Sequence, residues 1–311
     1  MPGTTAGFRW LPLLLLFALG AMWGANPTFA KAIGAQGVSP PSVIFWQTLG
    51  AGALLLLACA VRGVRLPTDR RALLYYAYMG WLCIDVAYMT VVVVVRHIPV
   101  GQLAVITMLS PLLTYLFALL LRLERPQALR AAGILLGLAG VAILVLPRGS
   151  LPSEASLGWA LLALIVPTGY ASGNVFAELG RPAGADSVAL AAGTMIAAAL
   201  GAALTAFVGD SFHPVWADPG RAEMLLAGFA AMTAVAFLVF QAIVALAGAV
   251  YLGQVGYLVT LAGIGWGMLF FGETHSHWLW FAVATVFAGV ALVNFGPRRP
   301  GPRATMRQDT A

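Results

Sequence analysis

Charge is what this sequence has least of: 9% of its 311 residues are charged against 61% hydrophobic, where soluble domains carry roughly 25% and 45–50%. That shortage argues against any water-soluble fold. Cysteine is also scarce. Cys59 and Cys83 both lie inside apolar segments, so neither a disulfide framework nor a thiolate metal site is indicated, and both read as small buried residues. The four histidines, His97, His213, His275 and His277, form no HxxxH or HExxH pair. His275 and His277 are close enough to chelate a metal, but a solvated turn is the simpler reading. There is no Walker A loop, no GxSxG and no pair of intramembrane aspartates, so no catalytic activity, cofactor or metal is expected. The +6 formal charge and pI near 9.7 would suggest a nucleic-acid partner in a soluble protein. Here the arginines fall in short loops and the tail, where they act as orientation signals, and no nucleic acid is expected.

What is present is long apolar runs. A helix needs about 20 mostly apolar residues to cross roughly 30 Å of hydrocarbon. Ten segments meet that length: 11–33, 41–62, 71–96, 99–122, 127–147, 156–179, 186–208, 221–247, 249–271 and 276–295. Pro, Gly and charge mark the breaks, as in RGVRLPTDRR at 62–71 and GDSFHPVWADPGR at 209–221, with a very short connection near Gly248. The opening run from Arg9 could pass for a secretory signal, but it continues into residues that recur in the second half. With both termini in the cytoplasm, thirteen Lys and Arg residues fall inside and four (Lys31, Arg96, Arg148, Arg221) outside. That asymmetry predicts a multi-pass protein of the cytoplasmic membrane, surrounded by lipid, with an even number of spans. The tail at 297–311 reads as a disordered cytoplasmic extension.

The halves repeat. An offset of 148–149 residues superimposes Asn26 on Asn174, Glu124 on Glu273, and Ala139-Gly140-Val141-Ala142 on Ala288-Gly289-Val290-Ala291. Five spans per copy is an odd number, so the second copy enters from the opposite side, and a ligand site is expected near mid-membrane where the copies meet. The expected fold is thus all-α, ten transmembrane helices in two inverted five-helix repeats at 1–150 and 151–296.

Short motifs sharpen this: WGANPTFAK at 23–31, FWQ at 45–47, LSP at 109–111 and Glu124, then GNVFAELGR at 173–181 and FFGE at 270–273. The layout resembles the drug/metabolite transporter superfamily, EamA type, over essentially residues 10–296. The resemblance implies a secondary transporter that moves small metabolites, often amino acids or related solutes and sometimes drug-like compounds, usually outward and without hydrolysing ATP itself. The chain departs from the family in two places. Gln47 stands where an Arg is common, and Thr260 stands where the first copy has Pro111, so the two central helices need not bend alike. A non-transporting scaffold or receptor subunit is the alternative, and an intramembrane enzyme ranks below it.

Candidate site residues follow from the cost of polarity in a bilayer. Asp85 lies near the middle of the third span, where a carboxylate costs about 2.5–3.5 kcal/mol to insert. It is the candidate for proton coupling or for binding a cationic group, with a structural hydrogen-bonded Asp as the competing reading. Asn26 and Asn174 are repeat mates whose amides could hold an amino-acid-like solute or simply bond between helices. Both are expected to face the central axis with Asp85 nearby. Pro27, Pro111 and Pro167 each remove a backbone donor within a span and predict kinks. Trp81, Tyr88, Tyr170 and Tyr257 lie near mid-span and could wall a substrate pocket. GxxxG at 133–137 and 263–267 allows close helix approach, within the bundle or in a homodimer. Glu124 and Glu273, at span ends, suit capping or loop salt bridges.

Overall fold

Helix starts are set by short polar side chains. Ser39 accepts from the Ser42 amide ahead of Pro40 and Pro41, opening α3 (Pro40–Val61); Asp69 caps α4 (Arg70–Ala77), and Asp186 caps α11 (Ser187–Val208) by accepting from Val188 and Ala189. The computed structural model describes residues 11–123, 125–145, 155–182, 184–216, 220–252 and 255–295. Glu124 and the tail at 297–311 lie outside these residues, as do the repeat edges at 1–10 and 146–154. All regular structure among the described residues is helical. Seven helical stretches are long and apolar enough to cross a membrane: Leu11–Gly34, Pro40–Val61, Arg70–Val94, Val100–Leu120, Leu157–Phe176, Ser187–Val208 and Arg221–Phe240. Three shorter apolar helices cover Ala128–Ile143, Leu258–Phe271 and His277–Leu292.

Several of these stretches are interrupted. The first is split into α1 (Leu11–Gly24) and α2 (Asn26–Gly34), with Pro27 in the first turn of α2. Between α6 (Val100–Thr107) and α7 (Ser110–Leu120) the break falls at Met108–Leu109, just before Pro111. α9 (Ala155–Ala163) and α10 (Ile165–Leu179) part at Leu164, ahead of Pro167. Each break precedes a proline, which cannot donate to the preceding turn. In α13 (Val255–Phe271), which has Thr260 where α7 has Pro111, the helix is continuous. The third stretch has a different irregularity: between α4 and α5 (Val86–Val94), residues Tyr78–Asp85 form a π-helical segment. α12 (Arg221–Leu252) runs through Gly248 to Leu252, so the expected connection at Gly248 lies further along the chain.

Packing pairs α3 with α11 and α8 (Ala128–Val145) with α14 (His277–Phe295). It sets α1 against α13 and α12, and α10 against α7 and the π-helical segment. At the α8–α14 crossing a Cβ on Gly289 would lie 2.6 Å from both the Gly133 carbonyl oxygen and the Gly137 nitrogen, so the two backbones touch directly. A buried Gln47 amide donates to Thr233 at 3.0 Å, tying α3 to α12.

The connections sort into two groups. In one, the Trp46 indole donates to the His213 carbonyl at 2.8 Å, the Ser42 hydroxyl to Ser211 at 2.9 Å, and Arg96 to the Val38 carbonyl at 2.9 Å. Lys31 meets Glu273 in the same group. In the other, Arg62 pairs with Asp186 at 3.5 Å. Left-handed backbone occurs in the connections at Gly37, Gly63, Gly184 and Gly272, and also at the non-glycine residues Arg122 (φ 59°) and Asp210 (φ 46°). The left-handed conformation costs a residue with a Cβ roughly 1–2 kcal/mol.

Candidate functional site

Polar groups inside the bundle mark where a ligand could be held. Asn26 opens α2, half-buried, and its Oδ1 is enclosed without a hydrogen-bond partner among the described residues. Two positions on, the buried Thr28 hydroxyl is likewise unpartnered. Gln102 on α6, which packs on α2, is 2% exposed with neither amide atom bonded. A buried polar group without a partner costs about 1–3 kcal/mol, so each of these groups is one that a polar solute could satisfy. Gln102 was missed by sequence reading because it sits in the first turn of its span, where polar residues are expected at the membrane surface.

Tyr88 on α5 and Tyr170 on α10 meet edge to face, with centroids 6.5 Å apart at 89°. Such geometry suits two aromatic quadrupoles. Asn174, one turn beyond Tyr170, is exposed and donates to the Thr114 hydroxyl on α7 at 3.2 Å. No hydrogen bond joins Asn174 to Asn26. α2 and α10 each pack on α5 and α6, which stand between them. Tyr257 lies on α13, and its side chain is outside the described residues.

Asp85 and Trp81 share one side of the π-helical segment and face α11. A Cβ on Gly201 would run into Asp85 Oδ2 and into the Trp81 ring, and the Trp81 indole donates to the Ala197 carbonyl at 2.7 Å. The second carboxylate oxygen, Oδ1, is buried and unpartnered. Trp81 is 53% exposed, beside the exposed Leu200 and Leu204 of α11, so it covers Asp85 from the flank of the bundle.

At one end of the bundle, Glu273 in the turn after α13 gathers three donors. Lys31 Nζ lies 2.7 Å from Oε1, the Val100 amide donates to the same oxygen at 2.9 Å, and the Gly101 amide donates to Oε2 at 3.1 Å. This is the capping and ion pairing its position suggests, at the positive end of α6. Burial pushes the Glu273 carboxyl up, but Lys31 and the two amides outweigh it, and the group is held below the usual carboxylate range. The neighbouring His275 is held below the ordinary imidazole value by burial, against the opposing pull of Glu273.

A bundle this apolar, with seven helices long and apolar enough to cross a bilayer, is that of a multi-pass membrane protein. Residues 10–146 match the EamA-like transporter family. The chain is 25% identical over 282 residues to the uncharacterized transporter YvbV of Bacillus subtilis (strain 168), covering 90% of each. A solved structure titled only as the crystal structure of a protein superposes with a TM-score of 0.60 at 20% identity, over 90% of this chain and 95% of that one, which speaks to the fold alone. The family match over residues 10–146 and the transporter-named relative together support a membrane transporter.

Proposed function

We propose that this transporter is a secondary exporter of a small organic solute, an amino acid or related metabolite or a drug-like compound. It works by alternating access between two inverted five-span copies, with both termini on the cytoplasmic side of the cell membrane. The observation that carries this reading is how the halves match. The described left-handed residues fall into pairs at nearly one offset, 147 (37 to 184), 147 (63 to 210) and 150 (122 to 272). The packing pairs match as well: α3 and α11 are counterparts that pack on each other, as are α8 and α14, while α1 on α13 mirrors α10 on α7. Ten alternating spans would also put all connections of the first group on one face and Arg62–Asp186 on the other.

Substrate sits between the copies, against Asn26, Gln102, Tyr88, Tyr170 and Asn174. Trp81 acts through Asp85 and not by walling this site. The proline breaks at Pro27, Pro111 and Pro167 let span halves tilt separately. Asp85 takes up and releases the coupling proton, and its unpartnered oxygen and covering Trp81 support that role. The test is a metabolite and drug screen in proteoliposomes with and without a pH gradient, repeated for Asp85→Asn. Gradient-driven transport in the wild type that is lost or uncoupled in a well-folded Asp85→Asn is the expected result. Full pH-dependent transport by the variant removes Asp85 from the mechanism, and no substrate with no gradient dependence removes the transport reading.

A further inference from the structure

A groove of ≈ 270 Å³ runs between the π-helical segment, α7 and α10, and Tyr78, Phe117, Leu120, Leu121, Val175 and Leu179 form most of its walls. It faces the flank of the bundle. Residues three, four and seven apart share a helix side, and Val175 and Leu179 continue a stripe on α9–α10 that carries Leu161 and Ile165, both exposed. On the opposite wall Tyr78 lies between Leu74 and Leu82, four residues to either side and exposed as well. Tyr170 and Asn174 are not among the residues that line the groove. In a membrane-spanning chain such a flank meets acyl chains.

The mouth of the groove is basic. Leu121 is followed by Arg122 and then Arg125, and Leu179 by Arg181; all three arginines are exposed, against Glu124 and Glu178 in the same stretches. Arg181 donates to the Ala185 carbonyl and the Ser187 hydroxyl, and its guanidinium keeps further donors. Arg122 occupies a left-handed position whose counterpart in the second half is Gly272 (φ 60°). Where the backbone calls for glycine, the chain carries a cation at the end of an apolar groove.

We propose that the groove binds one anionic phospholipid, an acyl chain lying between α7 and α10 and the headgroup phosphate held by Arg122 with Arg125 and Arg181. The proposal rests on the chain spanning a membrane and needs neither the transport reading nor a choice of side. Full-length protein in detergent is mixed with phosphatidylglycerol or phosphatidylcholine of the same chains, and bound lipid is read by native mass spectrometry alongside thermal unfolding. The wild type is expected to retain and be stabilised by phosphatidylglycerol over phosphatidylcholine. Arg122→Gly suits the left-handed backbone, so it should unfold no earlier without lipid yet lose about fivefold in phosphatidylglycerol retention, the share of one interfacial arginine. Leu120→Trp, at a 70% exposed wall position, should lower retention of both lipids by filling the groove. Equal retention of the two lipids by the wild type overturns the proposal, as does unchanged phosphatidylglycerol binding in either variant. Protection by glycerol 1-phosphate equal to that by the lipid overturns it too, because it would make the site one for a free anion.

Discussion

Replacing Glu273 with glutamine tests a buried carboxylate that gathers three donors. The carboxylate side chain is 8% exposed and accepts from Lys31, Val100 and Gly101. Glutamine keeps one acceptor, turns an amide donor toward one of the donors already present, and leaves Lys31 without its counter-charge. Removing one partner of a buried ion pair costs about 3–5 kcal/mol. Lys31 keeps 27% of its side chain in solvent, and that screening brings the expected loss to about 2–3 kcal/mol. Lys31→Met leaves the carboxylate its two backbone donors and should cost about 1–2 kcal/mol. The double variant should lose less than the sum of the two, because the pair is broken once. Thermal unfolding followed by tryptophan fluorescence in detergent measures all three.

The acid limb adds a signature. Glu273 has a folded-state pKa below its unfolded value, so its contribution is fully present above the unfolded carboxylate pKa of about 4.3 and is lost as pH falls through the lower folded value. The wild type should therefore destabilise more steeply on acidification than Glu273→Gln, and the two curves should converge. Equal unfolding temperatures at neutral pH, or additive losses in the double variant, would refute the reasoning.

Gly289→Ala forces a methyl against the Gly133 and Gly137 backbone, where no side chain can turn aside. A loss of about 1–3 kcal/mol is expected, visible as a lower unfolding temperature, whereas Ala288→Gly beside it should show no clash. Gln47→Leu removes the buried bond to Thr233, whose hydroxyl keeps its own bond to the Phe229 carbonyl. The cost should stay near 1 kcal/mol, with transport retained in the proteoliposome assay if Gln47 is structural.

Much of the fold is legible in the residues because a bilayer asks so little of them. Apolar length marks ten segments, of which seven are helices long enough to cross a bilayer and three are shorter apolar helices, and a proline inside a span gives its break, as at Ala25, Leu109 and Leu164. The role of Glu273 follows from a carboxylate at a helix end, but its partner Lys31 lies 242 positions away and only the packing reveals it. Rotation about a helix axis is harder to read. Asn26 and Asn174 match in the repeat, yet one is enclosed and the other reaches Thr114, because the offset fixes depth and not the side that faces in. The direction of Asp85 depends on the π-helical turns from Tyr78, which widen the helix and shift every later side chain, and nothing in YMGWLCID announces that change of pitch.

The crossing of α8 and α14 has a mechanical consequence. Where two helices meet backbone to backbone at Gly133, Gly137 and Gly289, there are no side chains to re-rotamerise and so no alternative set of contacts to slip into. The pair is a strut with one helix from each half, and any turning of one half against the other would have to pivot about it.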